Sequence, residues 1–471
     1  MRVTTALPFM AICLVVAFPV HVRADAKIVE TGQTYSSINA AISAAPEGST
    51  IEVSGGGYNE ALVITKSVKL LGQDNGTGKP VIDAGSASTA VEIKADGVVV
   101  DGFDITASQS RSLRYGIFSA YSEEACIVVR ASGAVISNNR ISGCHYGVYM
   151  HGVESGAIEL NKIEANRFGG IFVLNSRNVG IRENRVHANG YSGIGIGTVV
   201  FPPGMMQAIR PLAGDLIITS ETRPIEAVRS SDIEVAGNDV SDHGHSGIVA
   251  GSSRRIFILS NKAYANGGQA VPNCNPQVTL GSSPDIRGYG IGLICDTHES
   301  EVRDNMAENN DSLGILLDTA YSNRVTSNIV SGNGTGIGLF GSTDNTLSAN
   351  NVIQNSAFGI RLERGLPYVN PSVGNMVIGN DLDANKVNAF DTSGTDTAPA
   401  SVQGVAKGGP VDPEKLLSPN RWDDGARGNH HSDFDEAAEG FVDTDGDGIS
   451  EAPHPIPGGQ AVDHFPLEAW L

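Results

Sequence analysis

An all-β solenoid is the fold class this sequence predicts, with three short strands per coil of about 22–23 residues and an interior built by stacking. Three observations predict it. An asparagine recurs as an anchor at Asn139, Asn161, Asn184, Asn238, Asn261, Asn305, Asn328, Asn350 and Asn380. Aliphatic residues stand three positions before each anchor and small apolar residues two after it, as in Ile158, Asn161 and Ile163. A Gly-aliphatic pair then opens a third run, at Gly147-Val148, Gly170-Ile171, Gly193-Ile194, Gly247-Ile248, Gly314-Ile315, Gly336-Ile337 and Gly359-Ile360.

Within each run apolar and polar residues alternate over four or five positions, the period of a strand, and nothing in the repeat recurs at helical spacing. Asn and Gly tolerate the left-handed backbone that sharp corners require. A second asparagine five residues after the anchor (Asn166, Asn189, Asn266, Asn310, Asn333, Asn355, Asn385) suggests amide ladders from coil to coil. A single coil buries nothing, so stacking must supply the Ile/Val core. Ile171, Ile194, Ile248, Ile315, Ile337 and Ile360 are expected to form one inward column. The stretch Asn-Arg-Val-His-Ala-Asn-Gly-Tyr-Ser-Gly-Ile (184–194) resembles the right-handed parallel β-helix repeats of NosD-like and pectate-lyase-like proteins.

From the N-terminus, Arg2, an apolar run from Ala6 to Val20 and small residues at 22–26 read as a secretory signal over residues 1–26. A retained anchor is the alternative, but about 15 apolar residues are short for a membrane span. The expectation is an exported chain, periplasmic or extracellular, without a membrane span once the signal is removed. Four cysteines remain, and Cys126–Cys144 with Cys274–Cys295 is the simplest pairing if they are not buried free thiols. Tyr35, Ile38, Ala41, Ile42 and Ala45 share one helical face, which predicts a short helix capping the open end of the core. The solenoid then runs over residues 27–410.

Insertions interrupt it near 198–229 and 267–288, with smaller ones near 363–373 and 119–130. Loops from both corners would wall the outer face of the Gly-Ile strands. Alternation turns Tyr149, Phe172, Gly195, Val249, Leu316, Gly338 and Arg361 outward on that face, with His151, Asp318, Phe340 and Glu363 one pleat further. Rings, bare glycines and a few charges suit an extended sugar polymer, so Tyr149, Phe172, Asp318, Phe340 and Arg361 are the candidate substrate contacts. The alternative is an ordinary solvated sheet face.

No catalytic set emerges. Asp242-His243-Gly244-His245-Ser246-Gly247 aligns with Asn189-Gly190-Tyr191-Ser192-Gly193 as ordinary repeat, and no Asp-Pro-His sequence is present.

Residues 411–471 change character: 14 Asp/Glu against 3 Lys/Arg, a net of −11 within a chain total of −20. That balance argues against a nucleic-acid partner. Five aromatic residues in the segment, Trp422, Phe434, Phe441, Phe465 and Trp470, favour a folded acidic cap over a solvated tail. Asp443, Asp445 and Asp447 stand at positions 1, 3 and 5 of an Asp-x-Asp-x-Asp-Gly loop, with Glu451 at position 9; the spacing predicts structural Ca²⁺. His454 occupies position 12, where a glutamate would complete the motif, so Asp433 or Asp463 would have to help.

The ordered motifs Gly428–Phe434, Asp443–Ile449 and Asp463–Leu467 resemble the C-terminal pattern of NosD-like β-helix proteins, except that His430-His431 stands where that family usually has an aromatic pair. The resemblance implies a right-handed parallel β-helix, pectate-lyase-like in fold. It also implies one of two roles: glycan binding, or periplasmic assistance in maturing the copper site of nitrous oxide reductase, a copper-enzyme partner. No Met- or His-rich track for copper is evident. A uronate-polymer lyase, epimerase or hydrolase is the third reading.

Overall fold

The computed structural model describes residues 25–76, 78–107, 124–198, 228–268, 288–363, 371–393 and 419–470. Three sheets of fourteen, thirteen and twelve strands wind around one interior among those residues, parallel throughout except for the strands Ala26–Ile28 and Thr34–Tyr35 at the N-terminal edge of the first. Each coil contributes one strand to each sheet: Ile158 lies in the first, Ile163 in the second and Ile171 in the third. The right-handed sense is the one that crossover connections between parallel strands adopt.

Repetition builds the core. In the first sheet Ile136, Ile158, Ile181, Val235, Ile258, Val302, Val325, Leu347 and Val377 align in one register. The expected third-sheet column also forms, with Ile291 as an additional member between Ile248 and Ile315. All of these side chains are fully buried.

The anchor asparagines do not take the left-handed backbone themselves. It falls on the preceding residue, including Leu160, Glu183, Ser260, Asp304 and Ala349, with φ from 53° to 58°. That conformation costs an L-residue about 1–2 kcal/mol, so something must hold it. The asparagine does: each anchor amide donates to the next anchor's Oδ1 at 2.8–3.1 Å and to a strand carbonyl, from Asn139 through to Asn429. A second ladder runs Asn266, Asn310, Asn333, Asn355 and Asn385. A third, unforeseen in the sequence, joins Asn323, Asn345, Asn375 and Asn420.

The N-terminal end is closed as expected by the helix Ile38–Ala44, which buries Ile38, Ala41 and Ile42. Ser37 caps it, and the Glu60 carboxylate accepts from the Ile38 and Asn39 amides, where negative charge is favoured. The expected signal segment lies almost entirely outside the described residues. Asp25 accepts from Ser54 and Tyr58.

The chain leaves the third sheet after Gly197 and joins the first sheet at Ser231; it leaves the second sheet after Tyr264 and joins the third at Tyr289. Both departures flank the third sheet, and most of each insertion lies outside the described residues. The extra chain expected near 119–130 is placed differently. Ala125–Val129 is itself a third-sheet strand, paired with Val91–Ile93 and Tyr146–His151, so the surplus precedes it. Cys126 and Cys144 form a disulfide. Cys295 is disulfide-bonded as well, while its expected partner Cys274 lies outside the described residues.

At the other end, Asn420 and Asn429 continue two ladders into the cap, and His430-His431 pairs with Asp381-Leu382 as a last second-sheet strand. Trp422 is fully buried there, its indole N–H donating to Asp391 Oδ2 at 2.9 Å.

Candidate functional site

On the outer face of the third sheet, neighbouring strands bring the expected residues into two columns. Tyr149, Phe172, Gly195, Val249, Gly292, Leu316, Gly338 and Arg361 follow one another in register. One pleat further run His151, Leu174, Gly197, Gly251, Ile294, Asp318, Phe340 and Glu363.

Exposure divides this face. Tyr149 is only 3% exposed, packed with Val128, Tyr146 and Leu174 against Phe168 and Phe172. It supports the ring cluster from below and offers little surface itself. The glycines are not bare. A Cβ on Gly195 would meet the Phe172 ring at 2.4 Å, and one on Gly292 would meet the Tyr289 ring at 2.4 Å. The outward glycines are recesses into which neighbouring rings fold.

The half-buried stretch lies toward the C-terminal coils. Asp318, Phe340 and Glu363 sit side by side on three successive strands. Arg361 holds Glu363 at 2.7 Å and lies over the rings of Phe358 (4.8 Å) and Phe340 (5.7 Å). Burial pushes the Asp318 carboxyl up to about 6. The result is a strip of ring, guanidinium and two carboxylates running along the solenoid axis.

Neither histidine of the Asp242–Gly247 stretch reaches this strip. His243 replaces an asparagine in the second ladder: its Nδ1 accepts from the Asn189 amide at 3.1 Å and its Nε2 lies 3.1 Å from the Val186 carbonyl. His245 stacks on Tyr191 at 4.4 Å. Burial lowers both to about 4. They are parts of the repeat.

In the cap, carboxylate oxygens of Asp443, Asp445 and Asp447 lie within 4.8 Å of one another. Asp443 accepts from the Gly446 and Gly448 amides, which hold its carboxyl below the usual range. Asp445 accepts from the Asp447 amide, but the charge of Asp447, desolvation and the charges of Glu451 and Asp443 together outweigh that bond and raise its carboxyl. Glu451 turns its carboxylate to Thr444. The helpers considered for this loop are committed elsewhere. Asp463 accepts from the Asn429 amide at 2.8 Å, and Asp433 groups with His431 and His454.

The family model described as "Periplasmic copper-binding protein (NosD)" matches residues 210–357 and 284–398. The model for a right-handed β-helix region matches residues 125–198. The chain is a right-handed parallel β-helix protein that resembles NosD over residues 210–398. No curated protein matches this NosD-like chain. Among solved structures, the mannuronan C-5 epimerase AlgE6 A-module of Azotobacter vinelandii matches with a TM-score of 0.54 at 14% identity, over 74% of this chain and 89% of its own. A variant of the periplasmic alginate epimerase AlgG scores 0.46 at 15% identity over 72% and 81%. The Dettilon tailspike protein gp208 scores 0.47 at 16% identity over 74% and 63%. At such identities the likeness to AlgE6 is one of fold. Among the described residues no helix is long and apolar enough to cross a membrane.

Copper stands in the matching family's description, and the described part of the matched span does not fit it. His243 commits both ring nitrogens to the backbone, His245 lies in a ring stack, and His298 turns Nδ1 to the Asp296 carbonyl at 3.0 Å. Among the described residues, three or more His, Cys, Asp or Glu side chains converge only in the cap.

Proposed function

We propose that this NosD-like chain is an exported binding module that holds a polysaccharide or cell-surface glycan along the outer face of the third sheet. The observation that carries this reading is the ordered strip Asp318, Phe340, Arg361 and Glu363. A sugar ring lays its C–H face on an aromatic ring, and its hydroxyls pair with carboxylate and guanidinium groups whose positions are already fixed. Phe172 supplies a second ring farther along the axis, with Tyr149 beneath it. An acidic uronate polymer would be drawn to Arg361 but repelled by Asp318 and Glu363, so neutral or amino sugars fit the strip better. The Asp443, Asp445 and Asp447 loop, with Glu451 beside it, is read as a structural Ca²⁺ site.

Retention on immobilised glycans, neutral, amino and uronate, tests the proposal. Phe340→Ala and Arg361→Ala should each weaken retention about tenfold, about 1.4 kcal/mol, with unchanged melting temperature. Failure of the wild-type protein to retain any glycan would overturn it, and altered polymer recovered from the column would move the reading to an enzyme.

The NosD match favours a second reading, a periplasmic partner of a copper enzyme. Co-purification with such an enzyme and no glycan retention would select it.

A further inference from the structure

We propose that His431, Asp433 and His454 form a binding site for a divalent transition-metal ion of the zinc type, built into the C-terminal cap and separate from the Asp-rich loop. One donor atom from each of the three side chains lies within 4.8 Å of the others. The ring centroids of His431 and His454 are 4.5 Å apart. Two imidazoles and one carboxylate make a donor set suited to zinc and its neighbours in the first transition row, and poorly suited to calcium, which takes oxygen ligands.

The second observation is independent of this clustering. His431 occupies the core column of the second sheet, in register with Leu382, and is fully buried. Its Nε2 faces Asp463 Oδ2 at 3.2 Å. Asp463 is equally buried and accepts from the amides of Asn429 (2.8 Å) and Phe465 (3.1 Å). A carboxylate only accepts, so the Nε2 proton belongs on the histidine and the lone pair is left on Nδ1. That Nδ1 is buried and has no hydrogen-bond partner. A buried acceptor without a donor is costly, and coordination of a metal ion by this nitrogen would remove the cost.

The surroundings follow the logic of a metal ligand shell. The carboxylate–histidine pair fixes the tautomer and raises the basicity of the coordinating nitrogen. Asp433 is oriented by Asn388, whose amide donates to its Oδ1 at 2.8 Å. His454 is fixed by the strand pairing that sets it opposite Asp463, and its ring packs on Phe434 at 4.6 Å. Two carboxylates, Asp433 and Asp463, balance a dication. Asp433 is exposed, which gives the ion a path from solvent and leaves a position for water, as in sites with three protein ligands. These ligands come from two segments, one holding His431 and Asp433 and the other His454, that only the folded cap brings together, so binding would tie the 454–463 hairpin to the last coil.

The test uses the full mature chain, stripped with chelator and titrated with Zn²⁺ by calorimetry and with Co²⁺ by visible absorption. One equivalent should bind, with Co²⁺ giving the absorption of a nitrogen- and oxygen-ligated ion. His454→Ala should abolish that equivalent. Asp463→Asn should weaken it roughly 10- to 100-fold by unsettling the His431 tautomer. Because His431 lies in the core, the decisive variants are His454→Ala and Asp433→Asn, at the less buried positions. Asp445→Ala, in the Asp-rich loop, should leave the Co²⁺ spectrum unchanged. Absence of binding by the folded wild-type chain, or undiminished binding by folded His454→Ala, would overturn the proposal.

Discussion

In the solenoid a buried asparagine finds its partner one coil away and the arrangement repeats from Asn139 to Asn429, whereas in the cap each buried polar group has a partner that occurs once. Asn305 is typical of the body. It accepts from Asn261, donates to Asn328, and closes the carbonyls of Ile258 and Arg303. Asp463 is typical of the cap, collecting the Asn429 and Phe465 amides and the His431 ring. The difference teaches where singular chemistry can reside. A ladder rung satisfies its neighbours and has nothing left to offer a ligand. A cap residue, free of the repeat, can leave a donor or acceptor open, as His431 Nδ1 does.

The comparison breaks most directly if a rung is removed. Asn305→Ala would leave the Asn261 backbone N–H and the Ile258 carbonyl without the partner that Asn305 gives each, at about 1–3 kcal/mol for each group, or about 2–6 kcal/mol in all. Far-UV circular dichroism in denaturant should show that loss. The fluorescence of Trp422 reports the cap in the same experiment. The two midpoints should fall together, because Asn420 and Asn429 extend the body's ladders to the tryptophan's own segment. A loss below about 1 kcal/mol would mean that the ladders follow the fold without stabilising it.

Acid should act next, through a ladder rung that is a histidine. His243 and His245 are held near 4 by burial, below the ordinary histidine value of 6.5. The unfolded chain therefore binds protons between about 6.5 and 4 that the folded chain refuses. Their contribution is complete above 6.5 and is lost as pH falls through that window toward 4, on the order of 3 kcal/mol for each group. The melting temperature should fall from pH 7 to pH 4, and His243→Asn, which restores the ladder residue, should flatten the profile. An unchanged slope in that variant would assign the acid sensitivity elsewhere.

How much was legible follows the same division. The core columns, two of the ladders, the outward register of Tyr149 through Arg361 and the helix at the N-terminal end could be read because periodicity fixes which way a strand residue points. The third ladder was readable in principle, since Asn323, Asn345 and Asn375 each precede an anchor by five residues. Gly290-Ile291 escaped because it ends an insertion, where the count from the previous anchor is lost. Exposure was not legible: the pattern turned Tyr149 outward, but its burial depends on packing against Tyr146 and Val128. The His431, Asp433 and His454 cluster left only one trace, a histidine pair where similar chains have aromatics. Its members are brought together by contacts between segments that share no repeat.

The smallest effect expected belongs to the acidic loop, and its sign makes it the sharpest test of how the cap handles charge. Without a cation, Asp445 is held by one weak bond from the Asp447 amide at 3.3 Å while three neighbouring carboxylates raise its carboxyl. A group whose folded value is raised destabilises the fold once it is ionised, so Asp445→Asn in chelator should leave the cap's melting temperature unchanged or slightly higher. With Ca²⁺ the sign should reverse. The wild-type cap should gain a few degrees as calcium binds the folded loop alone, and the variant should not follow. Trp422 fluorescence during melting, with chelator in one cell and calcium in the other, reads both arms. If the variant shifts the cap equally in the two cells, the three aspartates form a solvated turn held by the Gly446 and Gly448 amides, and the acidity of the cap serves no ion at this position.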